Sequence, residues 1–205
     1  MNRGTKELID NLVSEGVLKT PHITDAFYGI DRADFVPSEE GAYTYLDTAL
    51  PIGYGQTISQ PYTVAFMLEL LSPREGEKIL DVGSGSGWTT ALLARIVGEK
   101  GKVIGVEVVP ELVVSGQRNL AKYGFSHTHI EQSSGELGCP KHAPYDKILV
   151  SATGAEVPHE LIEQLKVGGV MVLPVHDALQ RVTRLSKTKI KTEIYEGFAF
   201  VPLIT

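Results

Sequence analysis

The stretch Lys78-Ile-Leu-Asp-Val-Gly-Ser-Gly-Ser-Gly-Trp-Thr-Thr-Ala-Leu92 decides how the rest of this 205-residue chain is read. Residues 79–82 are a short, largely apolar run with β-branched ends. Three glycines then alternate with serines at Gly83, Gly85 and Gly87, and Ala91, Leu92, Ala94, Arg95 and Val97 follow at helical spacing. The order is strand, glycine loop, helix. Glycines at such a turn let the backbone pass a ligand with no Cβ in the way, and the helix start turns free N–H groups toward the ligand's negative end. Taken alone, the loop also fits a tight turn with nothing bound.

The spacing narrows the ligand. Dinucleotide folds seat a pyrophosphate on G-x-G-x-x-G, whereas here the third glycine comes one residue early and Trp88 fills the sixth place. A second strand, Val-Ile-Gly-Val-Glu, ends in Glu107 about two dozen positions after Gly83, close to where an acid reaches a ribose hydroxyl in an open α/β sheet. Glu107 can also cap the helix that Pro110 opens, and the two readings are compatible. Glycine loop and strand-end acid together argue for an adenosine whose far end is an amino acid rather than phosphates, S-adenosyl-L-methionine.

The whole chain sets bounds on this reading. Its length suits one domain, residues 1–205, with a helical segment and active-site loop over 1–60 and a sheet core over 61–205. Hydrophobic residues at 42% and charged residues at 21% are ordinary for a globular protein. A formal charge of −6 offers no basic face for a nucleic-acid backbone, and the run Arg181, Arg184, Lys187, Lys189, Lys191 reads as a solvated edge. One cysteine, Cys139, permits no intrachain disulfide and fits a reducing, cytoplasmic setting. No run of membrane-spanning length appears, and a monomer is expected.

Along the chain, Leu8, Ile9, Leu12 and Val13 predict a helix over 5–15, and a second short helix covers 23–30. Residues 41–60 show no periodicity but bring glycines, hydroxyls and amides into close succession, as loops that carry sites do. Helix 62–71 opens at Pro61. Strand 103–107, helix 110–122, strands 128–131 and 147–151, helix 158–166 and strand 170–175 then alternate as in a parallel sheet with right-handed crossovers. Residues 181–186 and 198–203 read as an antiparallel edge.

Several blocks resemble one family almost end to end: Phe35-Val-Pro37, Leu50-Pro-Ile-Gly-Tyr-Gly-Gln-Thr-Ile-Ser-Gln-Pro61, Leu80-Asp-Val-Gly-Ser-Gly-Ser-Gly87, Ala143-Pro-Tyr-Asp146, Gln164-Leu-Lys-Val-Gly-Gly169 and Phe200-Val-Pro-Leu203. The chain resembles the protein-L-isoaspartate O-methyltransferases of the bacterial type. The Gly-Gln-Thr-Ile-Ser-Gln-Pro block is the specific part, because the glycine loop is common to many methyltransferases. The resemblance implies a Rossmann-like class I methyltransferase fold, a mostly parallel seven-stranded sheet flanked by helices with an N-terminal helical extension. It also implies methyl transfer from S-adenosyl-L-methionine to the free carboxylate of L-isoaspartyl residues in damaged proteins and peptides. It assigns the active-site residue to Ser59 and sets Thr57 and Ile58 beside the cofactor; with the residues read above, the expected cofactor set is Thr57, Ile58, Asp81, Gly83, Ser84, Gly85, Glu107, Ser134 and Gly135. At Ser133-Ser134-Gly135 the family usually has Gly-Asp-Gly, so Ser134 stands where an aspartate faces the adenine and weaker cofactor binding is expected. That departure, with Val150-Ser-Ala-Thr-Gly-Ala155, keeps open a related methyltransferase acting on another carboxylate or small molecule.

The chemistry is compatible with these residue types. An isoaspartyl carboxylate is ionised near neutral pH, so no general base is needed, and in-line placement can lower the barrier by ~7 to 11 kcal/mol. Ser59 suits placement as a neutral donor that leaves charge on the nucleophile. From composition alone its hydroxyl reads as the cap of the helix at Pro61, and the resemblance reverses that order. Asp81 reads either as an acceptor for the methionine amino group, directly or through water, or as a receiver of loop N–H groups. The histidines show no metal signature: His127 and His129 share a strand face but lack a third ligand. Cys139 has no paired base and reads as structural.

Overall fold

The computed structural model describes residues 2–203. A seven-stranded sheet runs in the order β5-β4-β3-β6-β7-β8-β9. Its strands are β3 (Lys78–Val82), β4 (Lys102–Glu107), β5 (Thr128–Gln132), β6 (Tyr145–Val150), β7 (Leu165–Val175), β8 (Ala178–Arg184) and β9 (Ile190–Glu196). β3 lies centrally between β4 and β6, all parallel, while β8 and β9 return antiparallel. Ile79 and Leu80 are fully buried and face opposite sides, since successive strand residues alternate. A strand buried on both faces is why this segment is so apolar.

One face is covered by the helices α1 (Arg3–Ser14), α2 (Pro21–Gly29), α3 (Pro61–Leu71), α4 (Trp88–Val97) and α5 (Pro110–Ala121). Leu8, Ile9, Leu12, Ile23 and Phe27 join the buried cluster that holds Ile79, Val103 and Leu149. The N-terminal helices therefore share the core of the sheet. Glu69 of α3 fastens them, its carboxylate accepting from Lys19 N, Thr20 N and Thr20 Oγ1 at 2.9, 2.8 and 2.7 Å. On the other face Leu161 of α6 (His159–Gln164) and Cys139, just before the turn Pro140–His142, join the buried cluster of Leu80, Val82, Ile104 and Ile148.

Three boundaries differ from the expected ones. α6 stops at Gln164 and β7 begins at Leu165, because Gly168 takes φ +86° and Gly169 packs against Asp146 O where a Cβ would come within 2.9 Å. The edge strand is Ile190–Glu196 rather than 198–203. Its residues are mostly exposed and polar, so their alternation is weak in sequence, whereas Phe198 and Phe200 pack on the core as a covering segment. Residues 50–58 are a hairpin, β1 (Leu50–Gly53) with β2 (Gln56–Ile58), turning through Tyr54 at φ 55° and Gly55 at φ 72°. The basic run is tied down by its neighbours: Arg181 and Lys191 meet Glu193 at 2.7 and 3.0 Å, and Arg184 donates to Glu163 O and Leu165 O.

Candidate active site

The glycine loop leaves β3 at its C-terminal end, where ligands of open α/β sheets collect. Gly83, Gly85 and Gly87 take φ 75°, 53° and 95°, the left-handed region that only glycine enters freely. The loop amides hold the loop rather than face a ligand: Gly83 N and Ser84 N donate to Val106 O, Gly87 N to Ser84 O and Gly85 N to Glu107 Oε2 at 2.9 Å. Glu107 Oε1 accepts from Val108 N and Val109 N at 2.8 and 3.0 Å. Glu107 thus pins the loop and tops α5 at once.

Around this loop lies a cavity of about 290 Å³, walled by the hairpin (Ile52, Thr57, Ile58), the β3 and β4 ends, residues 133–138 and residues 201–203. A wider groove of about 760 Å³, bordered by Thr48, Gln60, Tyr62, Glu196 and Phe198, opens beside it. Thr57, Ser59, Ser151 and Val201 line both spaces. Thr57, Ile58, Ser59, Gly83, Ser84, Gly85, Glu107 and Gly135 all border the cavity, whereas Asp81 and Ser134 do not. Ser134 is exposed, and Ser133 takes the wall position, its hydroxyl donating to Glu136 O at 3.2 Å.

Asp81 is fully buried and receives Thr89 Oγ1 and Thr90 Oγ1 at 2.7 and 2.6 Å. It receives hydroxyls from the first turn of α4 instead of loop N–H groups, a role its neighbours in sequence did not announce. Burial pushes its pKa up to about 6, against the opposing pull of the two hydroxyls. Ser59 does not cap α3. Asp47 does so, accepting from Tyr62 N at 2.7 Å and gripping Gln60 Nε2 at 2.9 Å.

Sequence reasoning missed Arg32. Its guanidinium is buried and donates to four carbonyls: Thr44 and Leu46 at 2.7 and 3.3 Å from Nη1, Thr48 and Ser59 at 2.8 and 3.2 Å from Nη2. It also lies 5.3 Å over the Trp88 ring. One side chain therefore sets the path of the aperiodic segment and anchors Ser59 by its backbone. Burial pulls the Arg32 pKa down to about 10, with Asp47 opposing, so it stays charged at neutral pH. An arginine before Phe-Val-Pro carries no sequence signal of this. Cys139 is buried, and its thiol, donating to Glu131 Oε1 at 2.8 Å, is pushed up to about 11 by burial and by that carboxylate. It is no nucleophile.

The residues fit an adenosyl amino acid. Glu107 and Glu136 are the charged residues on the cavity wall, and no Lys or Arg lines it, so a pyrophosphate would find two carboxylates and no cation. A sulfonium and an ammonium would find the same two carboxylates complementary in charge. Glu107 accepts three N–H bonds and keeps acceptor capacity for a hydroxyl, and the buried Ser84 Oγ has no partner. A Cβ at Gly85 would come within 3.2 Å of Ile52 Cδ1 and narrow the cradle.

A family model described as protein-L-isoaspartate(D-aspartate) O-methyltransferase matches residues 2–205. The chain belongs to this family. A protein-L-isoaspartate O-methyltransferase of Methanopyrus kandleri is 43% identical over 207 residues, covering 98% of this chain and 92% of that relative. One from Ignicoccus hospitalis is 41% identical, covering 100% and 99%. A solved protein-L-isoaspartate O-methyltransferase superposes with a TM-score of 0.88 at 27% identity, covering 98% of this chain, which spans 66% of that longer one. A structure from Plasmodium falciparum, described as a protein-L-isoaspartate O-methyltransferase in complex with S-adenosyl-L-homocysteine, has the same fold, with a TM-score of 0.86 at 24% identity and coverage of 100% and 99%. The fold is that of the class I methyltransferases. Among the described residues no helix is long and apolar enough to cross a membrane.

Proposed function

We propose that this protein-L-isoaspartate O-methyltransferase family member esterifies the free carboxylate of L-isoaspartyl residues in damaged proteins and peptides, with Ser59 positioning that carboxylate. S-adenosyl-L-methionine, when bound, supplies an electrophilic methyl group on a positively charged sulfur. Glu107 would accept from its ribose hydroxyls, and the glycine loop with Thr57, Ile58 and Gly135 would enclose it. Ser134 stands beyond the wall and offers only a neutral hydroxyl to the adenine side.

The observation that carries this reading is that Ser59 lines both the cavity and the groove beside it. A group held there is within reach of ligands on either side. The groove is wide, and Thr48, Thr57, Ser59, Gln60, Tyr62, Thr63 and Ser151 supply neutral polar groups to its lining, with Glu196 as its one charged residue and no lysine or arginine. Neutral donors orient a carboxylate while leaving its charge available for attack. The groove's width suits varied, flexible segments rather than one side-chain sequence. In this reading the enzyme works in the cytoplasm, as a monomer and without nucleic acid, in keeping with its net charge of −6 and single cysteine.

The test is methyl transfer from labelled S-adenosyl-L-methionine to an isoaspartyl peptide and its aspartyl twin, with Ser59→Ala beside the parent. Base-labile labelling of the isoaspartyl peptide alone, reduced about 10- to 100-fold in Ser59→Ala, is expected for one lost hydrogen bond to a charged group. Equal labelling of both peptides would overturn the repair reading. An unchanged variant would overturn the serine's part in it.

A further inference from the structure

The turn Pro140–His142 lies against the end of β5, on the sheet face away from α1 to α5. There His129 and Glu131, two residues apart and so on one side of the strand, meet His142. His129 Nε2 lies 3.5 Å and His142 Nε2 3.8 Å from the same oxygen, Glu131 Oε2. One ligand atom from each residue lies within 4.8 Å of the others. His127, paired with His129 in the sequence reading, is not among them, its Nε2 lying 3.1 Å from Ala94 O of α4, and the fold groups His129 with Glu131 and His142 instead.

We propose that His129, Glu131 and His142 hold a divalent transition-metal ion of the zinc class, which clips together the two ends of the segment 133–138 that walls the cofactor cavity. Two imidazoles and a carboxylate are a donor set that zinc takes readily, with its fourth position left to water. The carboxylate is prepared for it: Cys139 Sγ donates to Oε1 at 2.8 Å, which leaves Oε2 turned toward the two rings. Tyr145 Oη, donating to Cys139 O at 2.7 Å, fixes the cysteine in turn. His129 and Glu131 sit in register with Ile104 and Val106 of β4, so two of the three ligands are on a rigid element. Lys141 Nζ stands 3.0 Å from Glu131 Oε2 as the present counter-ion, and its side chain is 64% exposed, so it can withdraw into water.

The position gives the clip its meaning. His129 and Glu131 precede residues 133–138 and His142 follows them, and Ser133, Gly135, Glu136, Leu137 and Gly138 line the cavity. An ion joining both ends would shorten the loop's excursions.

The experiment is calorimetric titration of zinc chloride into the tag-free, metal-stripped protein, without cofactor or peptide, so that its outcome is independent of the methyl acceptor. One ion per chain is expected. His129→Ala and His142→Ala should each weaken binding about 10-fold or more, and Lys141→Ala should tighten it. Hydrogen exchange should slow in residues 133–138 of the zinc-loaded parent and stay unchanged in His142→Ala. Circular dichroism of each metal-free variant checks that it is folded. No uptake by the parent, or uptake that survives both histidine substitutions, overturns the site. Binding that leaves exchange in 133–138 unaltered overturns the clip.

Discussion

Replacing Arg32 by methionine, which keeps most of the stem and removes the guanidinium, tests how the active-site segment is held. Two opposing magnitudes decide the outcome. The desolvation that pulls the Arg32 pKa from 12.5 to about 10 corresponds to about 3 kcal/mol of burial cost that the variant no longer bears. Against this, the four carbonyls of Thr44, Leu46, Thr48 and Ser59 lose a charged donor. Hydrogen bonds to charged groups contribute ~1.5 to 3 kcal/mol each. The bonds at 2.7 and 2.8 Å count near the top of that range and those at 3.2 and 3.3 Å near the bottom. Roughly 8 kcal/mol is lost for the 3 regained, with the contact over Trp88 adding to the loss. Some of these carbonyls recover water, so the expected net destabilisation is about 4 kcal/mol. Urea denaturation followed by circular dichroism measures it, and a fall in Tm of roughly 10 °C should accompany it. The KM for an isoaspartyl peptide should rise as Ser59 loses its backbone anchor. A loss below about 1 kcal/mol with unchanged KM would refute the reasoning, because it would mean the segment keeps its path without the guanidinium.

Two further outcomes are expected. Asp81 has a folded pKa raised to about 6, so its contribution to stability is present below the unfolded carboxylate range and is lost as pH rises toward and through about 6. Asp81→Asn, which does not titrate, should therefore gain stability relative to the parent between about pH 4 and 7, by up to ~3 kcal/mol; a flat difference in urea midpoints across that range would contradict the burial argument. Ser134→Asp should leave the affinity for S-adenosyl-L-homocysteine unaltered in a competition titration, because Ser134 is exposed and lies outside the cavity wall, and a tightening of about 10-fold would show that an ionised acceptor there reaches the adenine.

Much of the frame was legible. β3, the glycine loop and α4 stood in the sequence because a doubly buried strand must be apolar, a left-handed loop demands glycine, and α4, buried at every residue but Arg95, is apolar nearly all round. Ser59 was singled out only through the family-specific block, since a serine before a proline-led helix looks like a cap; Asp47, 15 positions before Tyr62, does that work from a distance no local pattern encodes. Arg32 and His142 escaped for the same reason, because their partners are brought by tertiary folding. β9 was misplaced onto 198–203 because an exposed edge strand carries little hydrophobic alternation, while the apolar covering segment after it imitates a strand.

Thr57, Ser59, Ser151 and Val201 line both the cavity and the groove, so the two spaces share one wall. Occupants on its two sides are thermodynamically linked, and the linkage is reciprocal: the factor by which the nucleoside tightens a peptide is the factor by which the peptide tightens the nucleoside. Ordering that shared wall from the cavity side first gives the groove a finished surface, which favours an ordered addition with the peptide second. Peptide affinity measured on the unliganded protein would then understate what the working complex achieves.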